Sequence, residues 1–149
     1  MAEFWFYHMT ESRLEDALPR LVERSIERGI RVAIQTGSTG RRDALDTLLW
    51  TYREDSFLPH GTDECDQPEH QPILLTCRPD NINRASIRFY VDGAEPGAIE
   101  DYDRAVLMFD GLSDDEIGAA RQYWKKYRDG GHSVSYWQQD RDGRWSRKA

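Results

Sequence analysis

The chain has 149 residues, of which 38% are hydrophobic, 32% are charged and 11% are aromatic. This mixture is typical of one folded domain and excludes a disordered chain, and no apolar run approaches the ~20 residues of a membrane-spanning helix. The formal net charge of −7 argues against a nucleic-acid coat protein, which needs a basic surface to neutralise phosphates.

The opening segment predicts a strand followed by a helix. Residues 3–8 are aromatic-rich and short, as in a buried strand. Apolar residues then recur at three- and four-residue spacing up to Gly29, which predicts an amphipathic helix. Thr10 or Ser12 is expected to cap this helix, and Pro19 to kink it or mark a late start.

A second strand and a second helix follow. Residues 31–35 read as the strand, and Ser38 or Thr39 caps a helix that ends near Trp50. The order strand, helix, strand over about thirty residues indicates a right-handed parallel crossover. Residues 60–71 are polar and acidic and are predicted to form a loop.

The second half predicts four more strands and one more helix. Residues 73–77 form a strand, the continuous apolar run 105–109 indicates a strand covered on both faces, and residues 87–91 alternate enough to predict a half-exposed strand. Residues 113–128 predict a helix with a cap and acids in its first turn, and residues 133–138 an edge strand. Asp-Gly then signals a turn, after which the end is expected to fray. The pattern predicts a three-layer α/β/α domain with a mainly parallel sheet.

Charge is distributed unevenly along what we expect to be a single domain, residues 1–149. Residues 1–120 carry 12 Lys and Arg against 24 Asp and Glu, whereas residues 121–149 carry 8 against 3. The basic C-terminal helix and tail begin at about residue 114. They predict a patch that attracts an acidic partner, or else a solvated helix and tail.

A glycine-containing turn is the first candidate for chemistry. Residues 37–42 (GSTGRR) lie between a strand and a helix, where nucleotide-binding folds place their anion site. The turn lacks the spacing of a phosphate loop, and no lysine follows its second glycine. The alternative is a capped helix start after a tight turn.

Metal binding and hydrolysis receive little support. His60, Cys65, His70 and Cys77 are zinc-ligand types, but their spacing matches no closed zinc module. The sequence contains no G-x-S-x-G elbow and no H-E-x-x-H motif. We therefore expect no catalytic residues, no metal and no cofactor. Two cysteines and an N-terminus without a secretory pattern favour the cytoplasm.

The last helix carries a candidate protein-binding face. Ile117, Arg121, Trp124 and Arg128 follow at steps of four, three and four residues and therefore share one face, which Lys125 flanks. Two arginines and an indole suit a ligand that brings both a carboxylate and an apolar ring. The alternative is a tryptophan packed on the sheet with its arginines extended into solvent.

A second aromatic patch follows the second helix. Trp50 ends that helix, and Phe57, Leu58 and Pro59 stand in the loop after it. Large apolar residues in a loop often mark an interface. A hydrophobic staple beneath the loop is the alternative.

Several motifs resemble the bacterial DNA polymerase III chi subunit family. They are the opening Phe6-Tyr7, the R-G-x-R-V strand at residues 28–32, L-x-x-x-L-W ending at Trp50, S-F-x-P-H at residues 56–60, and R-x-x-W-K-x-Y-R at residues 121–128. The resemblance covers residues 4 to 137. Its most specific element is the spacing between the tryptophan and S-F-x-P-H.

The resemblance implies a non-catalytic accessory of the replicative clamp loader, with a Rossmann-like or helicase-like fold that lacks phosphate motifs. It implies binding to the acidic C-terminal tail of single-stranded DNA-binding protein and to the psi subunit where one exists. We also expect a monomer without membrane contact, and no tight binding to DNA, because the acidic body repels bare DNA. Alternative functions are an adaptor for a DNA repair helicase and a small nucleotide-binding hydrolase.

Carried onto matching positions, the resemblance implies two sets of partner-binding residues. The tail-binding set is Arg121, Trp124, Lys125, Arg128 and Tyr136. The set facing psi or a helicase is Trp50, Phe57, Pro59 and His60. The chain departs from the family at Ile117, where a basic residue can occur, and at Trp124, where the aromatic residue is often tyrosine.

Overall fold

The computed structural model describes residues 2–52 and 58–149. Within these residues the chain forms eight strands, three α-helices and a short 3-10 turn at Pro68–His70. The elements in chain order are β1 (Glu3–Met9), α1 (Leu14–Glu27), β2 (Val32–Gln35), α2 (Thr39–Thr51), β3 (His60–Thr62), β4 (Ile73–Thr76), β5 (Ile87–Tyr90), β6 (Arg104–Asp110), α3 (Asp114–Asp129), β7 (Ser133–Gln139) and β8 (Trp145–Arg147).

The strands form one sheet in the order β3-β4-β2-β5-β6-β1-β7-β8. Neighbouring strands are parallel except β7 and β8, which are antiparallel. Because β1 and β2 are connected through α1 and run parallel, they form a parallel crossover, with β5 and β6 lying between the two strands. The predicted mainly parallel sheet is confirmed.

Helices cover both faces of the sheet, as predicted for three layers. Strand β1 shows the division, because alternate residues of a strand point to opposite faces. Tyr7 packs into a cluster with Leu18 of α1 and Leu45 of α2. Phe4 packs into the other cluster with Tyr127 of α3, its ring centroid 4.7 Å from that of the tyrosine. Of the three helices in the described residues, α3 packs on the face opposite α1 and α2.

The prediction that the β5 segment is half exposed is wrong, because all four β5 residues are buried. Arg88 is only 1% exposed, and its guanidinium donates to the Gln35 side chain at 2.8 and 3.1 Å and to the Tyr102 hydroxyl at 3.1 Å. Tyr102 belongs to the long loop after β5, which lies over this face. The arginine that suggested exposure is therefore buried among neutral acceptors.

Three predictions about the ends of elements also need correction. Strand β7 is not the edge of the sheet, because β8 pairs on its outer side. The C-terminal end of the chain is not frayed, because the Lys148 backbone N–H donates to the Tyr136 carbonyl oxygen at 2.7 Å. The segment predicted as a loop from residue 60 begins with β3, which pairs with β4.

Neither predicted cap residue caps α1, whose N-cap is Arg13 without a side-chain cap bond. The Ser12 hydroxyl instead accepts a hydrogen bond from the Gln139 side chain at 2.9 Å. Pro19 lies inside α1, which starts five residues before it, so the proline does not delay the helix. No helix among residues 2–52 and 58–149 is long and apolar enough to cross a membrane.

Candidate functional site

The helix α3 presents the predicted binding face. The Ser113 side chain accepts from the Glu116 backbone N–H at 3.2 Å and caps the helix, and acids fill its first turn while Lys126 and Arg128 stand in its last. This charge distribution complements the helix dipole. Ala120 and Tyr127 are buried against the sheet, so Trp124, between them in the chain, lies at the edge of the buried stripe.

Trp124 is half-buried and meets two aromatic rings of the sheet. Its indole lies edge-on to Phe6 of β1, with centroids 5.3 Å apart at 66°, and edge-on to Tyr136 of β7, with centroids 6.4 Å apart at 84°. Tyr136 is also half-buried. Phe6 therefore supports the indole on the side of the sheet, while part of the indole stays accessible to solvent beside the Tyr136 ring.

Two residues that the sequence prediction did not include support Tyr136. Its hydroxyl is hydrogen bonded to His8 Nδ1, and the His8 ring stacks on Phe109 at 4.9 Å and 18°. Burial lowers the pKa of His8, and nearby Asp110 opposes this effect. Strands β6, β1 and β7 lie side by side, which brings the three residues together. Only the strand order reveals this, so no local sequence motif could have identified His8.

Arg121 is a predicted cation whose charge acts on Tyr136. Burial raises the pKa of the Tyr136 hydroxyl, and the Arg121 charge lowers it, so the guanidinium is close enough to act on the phenol. Lys125 is exposed, one residue after Trp124. Arg128 is exposed too, but its guanidinium lies 3.3 Å from the Asp129 carboxylate. The structure thus brings Arg121, Trp124 and Tyr136 together and leaves Arg128 tied to a neighbour.

Lys148 adds a cation that the sequence prediction did not include. Its backbone N–H donates to the Tyr136 carbonyl oxygen. This bond lies one residue beyond the pair formed by Trp137 of β7 and Arg147 of β8. Alternation along a strand places Lys148 on the face of Tyr136 and Arg147 on the other face. Lys148 is exposed. No sequence signal identified it, because the end of the chain was expected to fray.

The second predicted patch is only partly at the surface. Trp50 is 56% exposed, and its ring lies over the ring of His60 with centroids 4.5 Å apart. The His60 side chain is buried, with Nδ1 2.6 Å from the Leu58 carbonyl oxygen and Nε2 3.1 Å from that of Asp46. His60 therefore supports the patch rather than offering a contact surface. Pro59 is half-buried, and Phe57 lies outside the described residues.

In the glycine-containing turn, the Arg41 side chain is already engaged in ion pairs. Ser38 caps α2 by accepting from the Arg41 backbone N–H at 3.2 Å. The Arg41 guanidinium lies 3.0 Å from both Glu15 and Asp92, and a Cβ at Gly37 would stand 2.5 Å from the Asp92 carbonyl oxygen. Because two carboxylates already pair with Arg41, their negative charge opposes the binding of a further anion at this turn. The turn is a capped helix start.

The four residues that could have been zinc ligands, His60, Cys65, His70 and Cys77, do not form a metal site. Among the residues that the structure describes, no three His, Cys, Asp or Glu side chains are grouped so that they could hold a metal ion. Cys65 and Cys77 are free thiols, and the Cys77 Sγ lies 3.2 Å from the Thr36 hydroxyl.

Comparison with known proteins assigns the family. A family model described as "DNA polymerase III chi subunit, HolC" matches residues 1–135. A Rickettsia prowazekii protein named "Probable DNA polymerase III subunit chi" is 33% identical over 87 residues, 58% of this chain and 53% of that protein. A Pseudomonas aeruginosa protein named "DNA polymerase III subunit chi" is 27% identical over 116 residues, 77% of this chain and 79% of that protein. The match thus spans about half of the first relative and most of the second. With nine-tenths of its length matched by that family model, the chain belongs to the DNA polymerase III chi subunit family of replication proteins.

Proposed function

We propose that this chain is a non-catalytic accessory subunit that binds the acidic C-terminal tail of single-stranded DNA-binding protein and joins it, through psi, to the clamp loader. The observation that carries the proposal is the half-buried pair Trp124 and Tyr136 with Arg121 beside it. Membership of the chi family supports the replication context.

The chemistry of the α3 face suits a peptide that ends in an aromatic residue. The Arg121 guanidinium can bind a terminal α-carboxylate through two parallel hydrogen bonds. A terminal phenyl ring then packs near Trp124 and Tyr136, since aromatic rings favour edge-to-face contacts. Lys125 and Lys148 attract the preceding aspartates. Arg128 contributes only if its guanidinium exchanges Asp129 for a peptide carboxylate.

The Trp50 patch is the proposed surface for psi, with Phe57 and Pro59 as its other predicted members. An indole that is 56% exposed is an unusual surface residue, and tryptophan is enriched where interfaces are strongest. An adaptor that joins a DNA repair helicase through the same patch is the second candidate. Recovery of psi or of a helicase with the protein, with and without Phe57→Ala, separates the two.

The remaining features support a binding protein rather than an enzyme. Arg41 is held by Glu15 and Asp92, so the turn at Gly37 offers no free cation to a nucleotide phosphate. We infer a monomeric, cytoplasmic, single-domain subunit without cofactor that reaches DNA through the protein coat. Stabilisation of the chain by a nucleotide in a thermal melt would favour the hydrolase alternative instead.

Fluorescence anisotropy with a labelled acidic tail peptide tests the proposal. A short peptide buries little area, so we expect micromolar affinity that weakens with salt. Arg121→Ala is expected to cost about 2 kcal/mol or more, because a carboxylate loses its bidentate partner. Arg78→Ala, which removes an exposed arginine between β4 and β5, is the control. Unchanged affinity in the Arg121→Ala protein would refute the site.

A further inference from the structure

A groove runs along α1 on the sheet face opposite α3. Two cavities, of about 430 and 380 Å³, lie along it and share Leu21 and Arg24 of the helix. The larger cavity is floored by side chains of β1, β5 and β6, including Phe89. The smaller is closed by the turn before β8 and by Trp145. We call this continuous feature the α1 groove.

An arginine stripe borders the α1 groove. Arg20 and Arg24 of α1 and Arg28, which caps the end of the helix, are exposed and follow each other at four-residue steps. They therefore lie on one side of the helix, about 6 Å apart along its axis. In the described part of the chain, none of their guanidinium groups lies within ion-pair distance of a carboxylate. Three successive arginines without an ion pair can each bind a carboxylate of an anionic partner.

The sheet side of the groove adds two more arginines. Arg104 of β6 lines the larger cavity and Arg144 the smaller one. Arg104 lies 3.6 Å from the Glu3 carboxylate. The carboxylates that line the same groove are Asp16, Asp103 and Asp142. Five arginines therefore line the groove with three aspartates, and Glu3 offsets Arg104. Outside the groove, Arg20 and Arg24 also border a separate cavity with Glu15, Glu23 and Glu27.

The aromatic rings of the groove are arranged for packing rather than for base stacking. Trp5 stacks on Trp137 at 4.8 Å and 26°, and the Arg104 guanidinium lies over the Trp5 ring at 3.7 Å. Since β6 and β7 flank β1 on opposite sides, these neighbours cover both faces of the indole. Tyr7 stacks on Trp145 at 4.4 Å and 20°. Single-stranded nucleic acid needs free ring faces, whereas aliphatic side chains pack against ring edges.

We propose that the α1 groove binds an acidic segment of a partner polypeptide. Its carboxylates pair with Arg20, Arg24 and Arg28, and its apolar side chains fill the two cavities beside Leu21 and Phe89. The larger cavity falls in the range of known ligand pockets, about 300–1,000 Å³. The groove and the α3 face lie on opposite sides of the sheet, so this site does not depend on the proposed tail site.

Selection from a phage-displayed library of short random peptides tests the proposal. The bait is the full chain with Arg121→Glu and Lys125→Glu, which prevents the α3 face from selecting acidic peptides. We expect the enriched peptides to combine aspartate or glutamate with leucine or phenylalanine. No enrichment, or enrichment without acidic residues, would overturn the proposal.

Binding of the enriched peptides then locates the site. Adding Arg24→Glu and Arg28→Glu to the bait is expected to weaken binding about tenfold or more, and Arg24→Ala with Arg28→Ala to weaken it less. Both residues are exposed, so we expect circular dichroism and the melting temperature to stay unchanged. The matched control adds Arg78→Glu and Arg84→Glu, two exposed arginines between β4 and β5. Equal loss in groove variant and control contradicts the proposal, and so does oligo(dT) binding that only the groove variant loses.

Discussion

The Trp124 indole meets the Tyr136 phenol ring edge-on, with centroids 6.4 Å apart at 84°. One residue comes from α3 and the other from β7, so the pair exists only because the helix packs across the last parallel strand. Below the pair, Phe6 supports the indole and His8 is hydrogen bonded to the phenol. The two rings therefore form an aromatic corner that Phe6 and His8 hold in place.

Lys148 is predicted to strengthen acidic-peptide binding by electrostatics alone. Lys148→Glu should weaken binding of the tail peptide about threefold to tenfold at low salt, because a cation on the Tyr136 face becomes an anion. The effect should shrink as salt rises. Arg147→Glu is the matched control, since alternation places Arg147 on the other face. Anisotropy titrations measure both, and equal losses would contradict the placement of Lys148.

His8 is predicted to make the folded state less stable in mild acid. Burial lowers its pKa below 6.5, so between the folded pKa and 6.5 the unfolded chain binds more protons, and stability falls as pH falls. His8→Gln removes this titration. Urea denaturation between about pH 5.5 and 7.5 should show a larger acid-side loss for the natural chain than for the variant. The raised pKa of Glu116 acts in both proteins and cancels in their difference.

Gln35 is predicted to stabilise the fold by solvating the buried Arg88 charge. Gln35→Leu should cost about 2 to 3 kcal/mol of unfolding free energy, since it removes two hydrogen bonds to a charged group. Arg88→Met should cost less, because it removes the charge together with its need for partners. Gln122→Leu, at an exposed position of α3, is the control. Urea denaturation that gives equal values for Gln35→Leu and the control would refute this role.

Substitutions at Trp50 and His60 are predicted to have different effects, the first on partner binding and the second on stability. Trp50→Ala should change the free energy of unfolding by less than about 1 kcal/mol, because the indole is 56% exposed, yet reduce recovery of psi or a helicase. His60→Ala should destabilise the chain more, because its ring is buried and hydrogen bonded. Leu112→Ala, at an exposed apolar residue elsewhere, is the control for recovery. Full recovery with Trp50→Ala would exclude the indole from the interface.

The sequence predicted correctly those elements that depend only on residues close together in the chain. The apolar run 105–109 lies within β6, and Ser113 caps α3 as its side chain and spacing indicate. Burial of Arg88 was not predictable, because it depends on a loop that returns over the strand. The pairing of Lys148 with Tyr136 and of His8 with Tyr136 depends on strand order, which short motifs do not encode. Arg121 and Trp124 could be assigned to one face of α3 from the sequence, because helical spacing alone places them there.

The most direct test of the account is a double-mutant cycle on the terminal carboxylate. Anisotropy compares the free-acid and amidated forms of a tail peptide ending in phenylalanine, on the natural chain and on Arg121→Ala. If Arg121 binds the α-carboxylate, each change alone weakens binding by about tenfold or more and the two together cost little beyond either one. Additive losses, or a peptide that binds equally well after amidation, would contradict capture of a free terminus by Arg121.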